Sequence, residues 1–161
     1  MIEVDELLKD IEKGADLGPE VESKVAESFI KTVLRPLSKE SRSKLQEIIK
    51  TPSNCKVFVP PKINNEIWKL IPSHARLLDV KQQQTQQAIA TGLTALTKIA
   101  DLVISRKAEI PKDIVNTIVK MAVDTGNILG DQNQQLNTAR RLDLKKYLNP
   151  EYAGICSSQV K

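Results

Sequence analysis

The stretch SHARLLDVKQQQTQQAIATGLTALTKIADLVISRK, residues 73–107, decides the fold. Nothing in it breaks a helical pattern except Gly92, and Ile89, Leu93, Leu96, Ala100 and Val103 step by 4, 3, 4, 3 along one face. A helix of this length runs about 50 Å at 1.5 Å per residue. Glu109-Ile110-Pro111 then reads as a turn. KDIVNTIVKMAVDTGNILGDQNQQLNTARRLDLKKYL, residues 112–148, restarts the period at Val115, Ile118, Ala122, Thr125, Leu129, Gln132, Leu136 and Ala139. Two long helices joined by a short turn are antiparallel neighbours, so the expected fold is all-α, a helical bundle built on a long αα-hairpin. Its seams face each other or a second hairpin.

Polar residues interrupt both helices. QQQTQQ at 82–87 consists of good helix formers and suits a solvated or an interhelical polar face. Thr125 and Gln132 occupy seam positions, where they either fix register or mark an exposed stretch. GNILG at 126–130 matches G-x-x-x-G, but its polar flanks exclude membrane dimerisation and leave close helix approach, a bend or plain tolerance.

Immediately before the hairpin, CKVFVPPKINNEIWKLIP, residues 55–72, holds the only Trp and one of two Phe in a chain with 3% aromatics. Pro60 and Pro61 forbid helix on themselves and on the residue before, so TPSNCKVFVPPK should run extended until NNEIWKLI makes one or two helical turns. Phe58, Ile63, Ile67 and Trp68 would then cross the hairpin as a proline-containing apolar strap, with rings that each bury about 150–250 Å². Further upstream, helices are expected over 2–13, ending at Gly14, over 19–34 with Pro19 in the first turn and Pro36 as the stop, and after Ser38 as an N-cap. This divides the chain into an N-terminal acidic and basic helical region, 1–50, and a long-hairpin domain, 51–161.

The net charge of +4 hides an asymmetry. Residues 1–30 carry three Lys and nine Asp or Glu, a balance of −6, which leaves +10 on the remainder. Such a division favours association within or between copies. The acidic, amphipathic N-terminus is unlike a secretory signal, and the unbroken apolar runs are too short to span a bilayer, so an intracellular protein of cytoplasm or nucleus is expected, with no membrane partner. Cys55 and Cys156, 101 residues apart, suggest neither a disulfide framework nor a zinc site.

No catalytic constellation accompanies these elements. His74, the single histidine, has no Cys, Asp or Ser at a functional spacing, and no phosphate loop, nucleophile elbow or supported carboxylate pair is present. An enzyme, a cofactor and a small-molecule substrate are therefore not expected. Arg140, Arg141, Lys145 and Lys146 form a basic group that could meet RNA or DNA phosphates, although no base-stacking platform accompanies it.

Three motifs carry a family resemblance. Pro52, Asn54, Cys55, Val59, Pro60, Lys62, Asn64, Glu66, Ile67 and Trp68 come first, then Leu129, Gly130, Asn133, Leu136, Arg140 and Arg141, then Leu148, Asn149, Tyr152, Cys156 and Ser157. Their order and spacing over about residues 50–160 resemble the Gag-like first open reading frame of DIRS-type, tyrosine-recombinase retrotransposons. Pro61, which doubles a proline, and Ile155, in place of leucine, depart from that pattern. Those relatives continue into a further tail, which fits a defined fragment or a shortened product here. The resemblance extends to the C-terminal domain of the lamina-associated polypeptide 2 alpha isoform, a helical coiled-coil dimer. It implies a non-enzymatic structural module that forms a homo-oligomer through Ile89, Leu93, Leu96, Val103, Val115, Ile118, Leu129 and Leu136, a Gag- or capsid-like role or its domesticated derivative. The alternative is a nucleic-acid-binding adaptor.

Overall fold

The computed structural model describes residues 2–13 and 16–148. Gly14 and the motif residues Asn149, Tyr152, Ile155, Cys156 and Ser157 lie outside the described residues. The chain divides into two compact units, residues 1–42 and 43–161.

In the first unit, α1 spans Ile2–Lys13 and α2 spans Ser23–Leu34. The second helix starts four residues later than Pro19 suggests. Glu22 is its cap, with a carboxylate oxygen accepting the Val25 N–H at 3.1 Å, and Pro19 stays in the irregular run before it. Such a bond satisfies an otherwise orphaned first-turn donor, a stronger local determinant than proline's preset φ. At the other end Arg35, the residue before Pro36, is extended, as the proline ring demands. The division between units falls within α3 (Lys39–Ile48), where Ser38 accepts the Ser41 N–H at 3.1 Å as its N-cap.

The second unit is dominated by α5 (Ser73–Ser105) and α6 (Lys112–Lys145), antiparallel and packed along their length as the expected αα-hairpin. A three-residue 3-10 turn, Lys107–Glu109, joins them, and Pro72 and Pro111 cap their starts. Among the described residues there is no strand. The all-α reading is thus shown.

The segment before the hairpin corrects one expectation. Ser53–Phe58 is not extended but a 3-10 helix with a kink at Cys55, φ −126° and ψ 33°. Extended backbone begins only at Val59, the residue that Pro60 constrains. Helix α4 (Asn65–Leu70) then opens on Asn64, whose side-chain oxygen accepts the Glu66 N–H at 2.9 Å. Arg76 closes α4 from the next helix: its Nε donates to the carbonyls of Trp68 at 3.0 Å and Ile71 at 3.2 Å. Those are α4's unpaired last carbonyls, and a guanidinium is a suitable donor for them.

The apolar side chains of this segment divide between two places. Ile63 and Trp68 pack on a small core of Ile71, Ala75 and Leu144 at the open end of the hairpin, with Tyr147 and Leu148 beside them, and Ile67 is buried nearby in sequence. Phe58 instead lies against the middle of the hairpin. The segment runs back along α5, with Val59, Pro60 and Lys62 beside Val80, Gln83 and Gln87 in between.

Candidate self-association face

Within the hairpin the two halves differ in chemistry. In the half near the turn, Leu93 and Val103 are buried on α5 and Ala122 on α6, with Leu96, Ala100, Val115 and Ile118 half-buried around them. Leu129 and Leu136 are half-buried as well, and Ile89 sits at the margin, where Ala90 takes the buried position. Gln132 is exposed, contrary to its seam assignment, and Asn133 replaces it. The interhelical positions on α6 run Leu129, Asn133, Asn137, Arg140 and Leu144, so Arg140 and Leu144 follow Leu129 and Asn133 by eleven residues rather than seven. An eleven-residue repeat averages 3.67 residues per turn, close to a straight helix, whereas a heptad extrapolation drifts off the interface after two repeats.

Between that half and the apolar core at the open end, the interface is polar. Arg140, 4% exposed, grips Asp79, 2% exposed, with two bonds: Nε to Oδ1 at 2.7 Å and Nη2 to Oδ2 at 3.1 Å. Its Nη1 donates to Gln86 Oε1 at 2.6 Å, and Gln86 Nε2 donates to Asn137 Oδ1 at 2.6 Å and Asn133 Oδ1 at 3.1 Å. Gln83 adds a bond to Asp79 Oδ2 at 2.6 Å. The geometry is the two-pronged guanidinium–carboxylate pairing that makes a buried charge tolerable.

This cluster removes Arg140 from the proposed nucleic-acid group. Its guanidinium is buried inside the hairpin and bonded there through all three nitrogens, away from the surface at which a phosphate would arrive. Arg141 is half-buried, Lys145 and Lys146 are exposed, and the Lys146 ammonium lies 5.2 Å from the Tyr147 ring centre. His74 is exposed and meets the same tyrosine, Nε2 to hydroxyl at 3.0 Å with the rings edge to face. Among the described residues no group of three His, Cys, Asp or Glu is placed to hold a metal ion.

A surface groove lies between the middle of the hairpin and the turn. Phe58, Leu93, Leu96, Thr97, Ala100, Ala122, Val123, Gly126 and Asn127 line an open groove of about 310 Å³ between the helices. None of these nine side chains carries a charge. Val123 in its wall is 55% exposed, and Ile99, three residues on from Leu96, is 48% exposed. Charge depletion around exposed aliphatic side chains characterises the centre of a protein interface. By length and composition α5 also suffices to cross a bilayer: one 18-residue window has a mean hydropathy of 1.4. The reading of unbroken apolar runs missed this because Thr91, Thr94 and Thr97 interrupt them.

The glycines resolve differently from the G-x-x-x-G reading. A Cβ at Gly130 would meet nothing within 4 Å and one at Gly126 would sit 3.9 Å from Leu93 Cδ2, whereas at Gly92 it would lie 3.3 Å from Leu129 Cδ1. Close approach therefore belongs to α5, and α6 continues as one helix through both of its glycines.

Among the residues that sequence reasoning missed, Asp79 had a usable signal. It lies thirty residues before Glu109 and Arg140 lies thirty after Ile110, so folding the chain at that turn superposes them. Residues 19–160 match the model of a family described as "Domain of unknown function (DUF8747)". No curated protein and no solved structure matches the chain.

Proposed function

We propose, from the premise that this chain belongs to the DUF8747 family, a domain of unknown function, that it is a non-enzymatic self-assembly module whose hairpin oligomerises through the groove near the turn. The observation that supports this reading is the uncharged groove itself, with Val123 in its wall 55% exposed and Ile99, three residues on from Leu96, 48% exposed. Water contact with such side chains costs about 25 cal/mol per Å² of apolar surface, which a second copy of the same face relieves. An isologous contact of this kind closes as a dimer, and further faces would extend it into a larger assembly. The likeness to Gag-like proteins of DIRS-type retrotransposons gives the role a context, a capsid-like structural protein or a domesticated derivative.

The test is light scattering coupled to size exclusion over a concentration series, on the wild type and on Ile99→Glu/Val123→Glu. Both positions are about half exposed, so glutamates there leave the α5–α6 contact intact. Leu129, wedged against Gly92, is unsuitable for such a change. A wild-type dimer or larger species that the double change converts to helical monomers is the expected result. A wild type that stays monomeric at the highest concentration overturns the reading. In that event, binding to anionic vesicles or salt-sensitive retention on RNA would direct attention to α5 or to Lys145 and Lys146.

A further inference from the structure

We infer that the buried cluster of Asp79, Gln86, Asn133, Asn137 and Arg140 is a register lock, a device that holds the two walls of the groove opposite each other from a distance. The groove depends on both helices at once, with Leu96 and Ala100 on one wall and Val123 and Asn127 on the other. Sliding α6 by one turn, about 5.4 Å, would carry Val123 and Asn127 past their partners and destroy its shape.

The apolar contacts near the turn resist such a slide poorly. Ala90, Gly92, Ala100, Ala122 and Gly126 make that part of the interface small-sided, and dispersion contacts between aliphatic groups are not directional. A slip requires only that one arm wind a turn from the 107–111 connection while the other unwinds one.

The polar cluster has the opposite property. Each bond in it has a fixed direction and a length near 3 Å, so a one-turn displacement breaks every interhelical member together. Arg140 would face Gln83 or Ala75 in place of its partner, and Asp79 would be left charged inside the interface. Buried charge without a partner is among the most unfavourable states a protein can populate. The wrong register is therefore excluded by cost, while the right register gains little net stability. A single polar position inside a helical pair is known to fix registration in this manner. The inference holds whatever occupies the groove.

The experiment places spin labels on Thr85→Cys and Asn116→Cys, both exposed and offset along the hairpin axis by roughly 27 Å so that a slide changes their separation almost fully, in a chain carrying Cys55→Ser and Cys156→Ser, and measures the interlabel distance by pulsed electron resonance. The unmodified cluster should give one narrow distance. Asp79→Leu/Gln86→Leu/Arg140→Met, which replaces the central atoms by apolar ones, should keep its helical circular dichroism while the distance distribution broadens or splits by about 5 Å, one turn. A narrow, unshifted distance in the triple variant overturns the lock. So does a loss of helix content, because the cluster would then be holding the hairpin together instead of choosing its register.

Discussion

Thr94 is fully buried between the long helices, and its hydroxyl has no hydrogen-bond partner, whereas Thr91 and Thr97 each bond the carbonyl four residues back. A buried hydroxyl that gives up water for nothing costs stability, so Thr94→Val, equal in shape, should raise the unfolding free energy by about 1 kcal/mol in urea titration. Asp79 is the contrary case. Asp79→Ala strands the Arg140 guanidinium and should cost about 3–5 kcal/mol by the same measurement, a large part of the margin of a small domain. These two residues also mark where sequence reading stops. An apolar period locates a helix face to within a residue or so, but a buried Asp or Arg looks like a surface residue until its partner is known. Arg140 and Arg141 are adjacent, identical in type, and differ only in direction by a hundred degrees of helix rotation.

At the scale of the element, helices α1, α3, α4, α5 and α6 were legible because caps, prolines and apolar spacing agree on each of them. The start of α2 was not, since Pro19 and Glu22 compete for it, and neither was the 3-10 helix at Ser53–Phe58, because the alternation of Val57 and Val59 straddles its end and Pro60 constrains only Val59. The glycines give a direct comparison between propensity and packing. Gly130→Ala adds a methyl into open space and should stabilise the chain by about 1 kcal/mol. Gly92→Ala gains the same propensity, but its Cβ meets Leu129 at 3.3 Å, so the net gain should be distinctly smaller. Thermal melts of the two variants side by side, with helix content as the readout, check that ranking.

For the whole molecule, the arrangement of chemistry along the hairpin also orders events in time. Apolar pairs such as Val103 with Val115 and Ile118 are separated by few residues of chain, while Asp79 and Arg140 are sixty-one apart. Closing a short loop is fast and loses little chain entropy, so pairing should nucleate at the 107–111 turn and propagate outward like a zipper. The charged grip would then be among the last contacts made and the first released. Chevron kinetics should show Val103→Ala slowing folding, and Asp79→Asn mainly accelerating unfolding. α6 follows α5 in the chain, so during synthesis the buried arginine emerges after the segments that build the apolar seam near the turn. Until then Asp79 stays in water, and the aspartate meets its partner beside an apolar half-interface that is already in place.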